Sequence, residues 1–256
     1  MADDNKASRA RSKSALLRQL MQVREFHRSV VDGGAAAPRA RLLALWQSRR
    51  LAATYRDFEA QPRYQDAVRF FLEDLYGPRD FAQRDADVEK LYPLMSRMLP
   101  AAALDALTGA LELHALTQEL DAAMLATLCD ALKLNETLTP EMWAEAYRQT
   151  GRRDDRERQI ALTVRAGRQL DVVVKKPMVY TLVLLARGPA RAAGFGELQD
   201  FVERGFRSFR GMDGAADFIA AVQARETSLM QGLFKGDMPA EWQHDPGAVS
   251  VADLPA

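Results

Sequence analysis

Apolar side chains recur every three or four positions along most of this chain of 256 residues, the spacing of one face of an α-helix. Leu16, Leu17, Leu20, Met21, Val23 and Phe26 mark a first helix, which Asp32-Gly33-Gly34 should stop. Pro38 can open a second helix, with Leu42, Leu45, Trp46, Leu51, Tyr55 and Phe58 on its apolar face and a break at Gln61-Pro62. A third runs through Tyr64, Ala67, Val68, Phe70, Phe71, Leu72 and Leu75 to Gly77-Pro78. A fourth covers about 80–98, with Pro93 inside it as a kink or a shifted start. Pro100 then begins an Ala- and Leu-rich segment reaching about Leu132, either one helix or two broken near His114 to Thr117.

Thr139-Pro140-Glu141 has the marks of a helix start: a hydroxyl cap, a proline at the first helical position and an acid at the positive end of the dipole. That helix ends at Thr150-Gly151, and the next runs from about Asp154 to Lys175-Lys176-Pro177. Met178 to Ala186 reads as a short apolar helix. The β-branched residues around 172–183 would also suit a hairpin, but one hairpin among so many helices is marginal. Two more helices follow, Glu197 to Phe209 and about Gly214 to Phe234. The fold expected is therefore all-α: a single-domain multi-helix bundle of about nine or ten helices over residues 14–235. A disordered N-terminal arm (1–13) precedes it and a flexible C-terminal tail (236–256) follows.

Composition removes several classes of function. Hydrophobic residues make up 48% and charged residues 27%, enough to build a core. The 35 basic and 35 acidic side chains cancel, leaving no global field to draw in nucleic acid or membrane. The longest apolar run, Met178 to Ala186, is far short of the roughly 20 residues a spanning helix needs, and the polar N-terminus lacks the apolar stretch of a secretory signal. The single cysteine, Cys129, cannot form an intrachain disulfide and reads as a small buried hydrophobe. Together these point to a cytoplasmic protein.

Candidate chemistry is sparse. There is no phosphate-binding loop, dinucleotide fingerprint or nucleophile elbow. His27, His114 and His244 form no paired ligand motif, so no metal or cofactor is expected, although a lone axial imidazole would suffice for haem at His27 or His114. The basic region of Arg152, Arg153, Arg156, Arg158, Arg165, Arg168, Lys175 and Lys176 alternates with Asp154, Asp155, Glu157 and Asp171, the pattern of a solvated, salt-bridged face. Trp46, Trp143, Phe206 and Phe209 read as core. Trp242, in the tail, has the character of an anchor that docks on a groove.

The densest constellation follows Arg69. Phe70, Phe71 and Leu75 cannot share one helical stripe, so the helix should be central, with Glu73 and Asp74 at its edge near Arg69. Arg84, Asp85 and Asp87 come next. These charges suit a structural ion-pair network, a polar pocket for a ligand or partner, or, with the acids alone, a hard cation. The EF-hand spacing is absent. The pocket candidates are Arg69, Glu73, Asp74, Tyr76, Arg84 and Asp85.

Phe70-Phe71-Leu72-Glu73-Asp74-Leu75-Tyr76 resembles the motif of a bacterial family named for FFLEELY, with Asp74 in place of the second glutamate. The likeness extends to Leu45-Trp46-Gln47, Arg50-Leu51 and Tyr55 upstream, and to Gly205-Phe206 and Arg225-Glu226 downstream. It implies no activity, cofactor or catalytic residue. Three functions remain open. The leading one is a non-catalytic helical protein acting through a protein partner or a homo-oligomer. The others are a helical enzyme or ligand carrier with an internal polar pocket near the Phe70–Phe81 segment, and a nucleic-acid-associated regulator, which the balanced charge disfavours.

Overall fold

In a computed structural model of the chain, residues 37–75, 87, 90–91 and 101–254 are described, and nine α-helices stand among them. The arm at 1–13, the helix expected over 16–26 and most of that expected over 80–98 lie outside these residues. The all-α reading holds. No helix among the described residues is long and apolar enough to cross a membrane.

Helix α1 (Ala37–Thr54) and the single turn α2 (Arg56–Glu59) lead into α3 (Pro62–Arg69). α3 continues into a π-helix, Phe70–Leu75. The long Ala-rich segment is one helix, α4 (Ala101–Asp130), about 45 Å in length at helical rise. Then come α5 (Pro140–Thr150), α6 (Arg153–Val174), α7 (Pro177–Ala192), α8 (Gly196–Gly211) and α9 (Ala216–Lys235). The expected start of α5 is realised: Thr139 Oγ1 accepts the Met142 amide at 3.3 Å. α5 stops because Gly151 takes φ +68°, where a side chain would be strained. Residues 171–185 are helical on both sides of Lys176-Pro177, not a hairpin.

α6 is the axis of the bundle, packing against α4, α7, α8 and α9. Two large apolar clusters form around it. One gathers Leu42, Trp46, Met124, Leu128, Trp143, Tyr147, Met230 and Leu233; the other gathers Tyr55, Phe58, Val68, Val164, Phe209, Phe218 and Ile219. Trp46, Trp143, Phe206 and Phe209 are core, as expected.

The expectation of a flexible tail does not hold for residues 236–254. Trp242, on a 3-10 turn (Ala240–Gln243), is buried with its ring 5.1 Å from Trp46 and 5.6 Å from Trp143. The Trp46 indole donates to the Gly247 carbonyl at 3.0 Å. Val249–Ser250 (β2) pairs antiparallel with Thr137–Leu138 (β1), a two-residue ladder in an otherwise helical fold. These contacts are too irregular to leave a periodic trace, so an apolar anchor is the only signal the segment carries. Cys129 is half-buried rather than buried.

The π-helix explains the double phenylalanine. Its extra residue per turn rotates successive side chains onto different partners. Phe70 faces α8, 5.3 Å from Phe201 and against Gly205. Phe71 turns inward, 5.7 Å from Phe218 and 6.0 Å from Phe209.

Candidate functional site

Between the two apolar clusters lies a cavity of about 140 Å³. Seven α-helices and the π-helix wall it, α8 through Phe209. α1 supplies Gln47, Arg50 and Leu51; α4 supplies Thr117 and Asp121; α5 supplies Trp143 and Tyr147. α6 contributes the stripe Arg156, Gln159, Ile160, Thr163, Val164 and Gly167, and α9 the stripe Ile219, Val222, Glu226, Met230 and Leu233. Val68, Phe71 and Leu72 close one side from α3 and the π-helix. Each contribution follows from helical spacing: positions three, four, seven and eight apart share a face. On several of these faces a polar residue occupies a position where the stripe calls for an apolar one.

These polar residues form two groups. In the first, Arg50 Nη1 donates to both oxygens of Glu226 at 2.8 and 2.9 Å, and the Tyr55 hydroxyl donates to Glu226 Oε1 at 2.9 Å. Burial works against the charge on Arg50, but Glu226 outweighs it and holds the guanidinium above the ordinary arginine range. In the second, Gln159 links Thr117 to Arg156: its Nε2 donates to Thr117 Oγ1 at 2.9 Å, and its Oε1 accepts from Arg156 Nη1 at 3.3 Å. Gln47 Nε2 donates to Asp121 Oδ1 at 2.9 Å. Burial pushes the Asp121 carboxyl up from its usual range against the pull of Gln47 and Arg156.

Arg156 is the outlier. It is 5% exposed and makes no ion pair among the described residues. Its guanidinium lies 4.5 Å over the Tyr147 ring. Nη1 meets Gln159, but Nε and Nη2 have no hydrogen-bond partner. Desolvation pulls Arg156 below the arginine norm against the attraction of Tyr147 and Asp121, and the same burial pushes the Tyr147 phenol up to about 12. Arg50 Nε and Trp143 Nε1 are likewise buried without partners. A buried N–H left unbonded costs about 1–3 kcal/mol, more when charged, so four such donors around one cavity demand a reason.

The residues singled out from the sequence fall elsewhere. Arg69, Glu73 and Asp74 meet at a shallow depression beside α8. Arg69 faces Glu59 there at 3.7 Å, and Asp74 is clasped by Arg204 through Nε and Nη2 at 2.6–3.2 Å. Tyr76, Arg84 and Asp85 lie outside the described residues. Asp87 is buried, 3.7 Å from Lys90. Among the described residues no group of three or more His, Cys, Asp or Glu could hold a metal. His114 sits 3.0 Å from Gln118.

Arg152, Arg153 and Arg158 behave as a solvated face should, paired with Asp155, Glu157 and Glu112. Arg156 does not: the same basic run sends it inward. The signal was its spacing, since Arg156, Ile160 and Val164 are four apart and share one stripe. Gln47, Arg50 and Glu226, which enter the sequence reading only through a resemblance, and Tyr55, read there as part of an apolar face, are cavity residues.

No curated protein and no solved structure matches the chain. A family model does, over residues 13–240, and its description is a domain of unknown function, DUF8198. That span takes in every residue of the cavity, and the chain belongs to this family.

Proposed function

We propose that this protein binds a small organic molecule inside its helical bundle. The observation that carries the reading is the partnerless Nε and Nη2 pair of Arg156, buried on the wall of a cavity. A cavity of about 140 Å³ is ligand-sized: an engineered apolar cavity of about 150 Å³ takes benzene. Apolar walls with a few convergent polar groups are the usual make-up of a small-molecule site. The lone half-buried cysteine suits a cytoplasmic setting, and the Phe70–Tyr76 motif suits a bacterial FFLEELY protein. The test is a thermal-shift panel of small organic acids, alcohols and amines on the full chain, repeated with Val222→Phe to fill the cavity. Stabilisation by at least one probe, lost in the filled variant, is expected. A flat panel contradicts the reading.

A second reading, self-association, is favoured by α7. Met178, Leu182 and Leu185 form an exposed apolar stripe at 76%, 52% and 69% exposure. A two-fold pairing of this helix with its copy would bury the same stripe on both sides. Sedimentation velocity tests it: a dimer that Leu185→Glu dissociates is expected, and a monomer at every concentration contradicts it.

A further inference from the structure

We infer that the cavity seats a small monocarboxylic acid with an apolar body, its carboxylate bridging Nε and Nη2 of Arg156. This rests on the ligand-binding reading above and names the class of ligand.

The guanidinium is already oriented. Its Cζ lies 4.5 Å over the Tyr147 ring and its Nη1 is engaged with Gln159, while the Nε–Nη2 edge is buried with no hydrogen-bond partner among the described residues. That edge presents two parallel N–H groups, the fork that matches a carboxylate. The chain uses the same fork twice elsewhere. Arg204 clasps Asp74 through Nε and Nη2, and Arg187 clasps Glu203 in the same way. In both cases the acid is a buried side chain of this protein. At Arg156 no such acid closes the fork among the described residues.

The kind of unpartnered atom narrows the ligand further. Arg50 Nε, Trp143 Nε1 and the two Arg156 nitrogens are all donors. An amine would add donors to donors, whereas a carboxylate brings only acceptors. Charge then limits the guest to one negative unit. Glu226 is spent on Arg50, and Asp121 also lines the cavity, so a dianion such as a phosphate monoester would face both carboxyl groups. Away from Arg156 the wall is Phe71, Ile160, Val164, Ile219 and Val222, which suits a ring or short alkyl body. The volume allows about the size of a benzene ring with its acid group.

Calorimetric titration of the full chain with benzoate, its neutral twin benzamide, toluene and phenyl phosphate tests the inference. Benzoate is expected to bind at least about tenfold more tightly than benzamide, a margin in keeping with a charge-assisted bidentate bond. Arg156→Gln should remove that preference while leaving toluene affinity within about threefold. If this variant fails to fold, the comparison of benzoate with benzamide on the unaltered protein still decides. Benzamide or toluene binding as tightly as benzoate, or phenyl phosphate binding best, overturns the carboxylate assignment and leaves the ligand-binding reading standing. Failure of all four probes to bind overturns both.

Discussion

Arg50 on α1 and Glu226 on α9 are 176 positions apart in the chain, yet one nitrogen of Arg50 bonds both oxygens of Glu226 at 2.8 and 2.9 Å. The pair ties the first described helix to the last long one at the wall of the cavity.

Breaking the pair on one side should be costly, because the other charge stays behind with little solvent. Side-chain exposure is 10% for Arg50 and 21% for Glu226. Glu226→Ala is expected to destabilise the fold by about 3 kcal/mol. The double variant Arg50→Met with Glu226→Leu should recover most of that loss, since replacing both partners by apolar groups removes the stranded charge. Urea denaturation of the two variants beside the unaltered protein checks this.

A Cβ placed on Gly205 would lie 2.8 Å from Phe70 Cζ. An aromatic ring packed in a core cannot swing away as a lysine tip can. Gly205→Ala should therefore cost about 1–3 kcal/mol by overpacking. Adding Phe70→Leu should return part of the loss, a coupling that a double-mutant cycle measures directly.

The docked tail can be tested by shortening the chain. Trp242 is 3% exposed and stacks edge-on against Trp46 and Trp143. Trp242→Ala is expected to lower stability by about 3–5 kcal/mol. A chain ending at Pro239 should lose at least as much, because it also removes β2 and the acceptor for the Trp46 indole. A shift of tryptophan emission to longer wavelength would accompany both changes. Equal stability of full and shortened chains would show that the segment does not pack.

One acid has a clear pH signature. The Arg187 guanidinium and the Gln199 amide hold the Glu203 carboxyl down at about 2, against an ordinary value near 4.5. A carboxyl depressed on folding contributes its stability in full above the unfolded value, and loses it as pH falls through the folded one. The contribution should fade between about pH 4.5 and pH 2. Glu203→Gln should flatten the part of the acid limb of stability that this group causes, as read from denaturant midpoints across that window.

Much of the bundle could be read from the chain because burial selects residues at a fixed helical period. Thr139-Pro140, Lys176-Pro177 and Gly151 mark their boundaries with ordinary capping chemistry. The cavity was harder to see. Its polar residues lie on five different helices, and each looks harmless within its own segment. Arg156 sits in a run of arginines that pair with acids, and only its four-residue spacing to Ile160 and Val164 sets it apart. Gln47 and Asp121 face each other across 74 positions, a relation no local pattern records. The ion-pair network around Asp74 is legible in kind, but its partner across the bundle is hidden for the same reason. That partner, Arg204, is 130 positions away, while the nearby Arg69 points to Glu59.

The most direct test of the central claim is a crystal structure of the full chain grown with 4-bromobenzoate, using anomalous scattering to locate the bromine. The account predicts bromine density within the apolar end of the cavity, between α6 and α9, and the carboxylate on Nε and Nη2 of Arg156. A cavity holding only water, with the acid absent or bound solely on the outer surface, would contradict it.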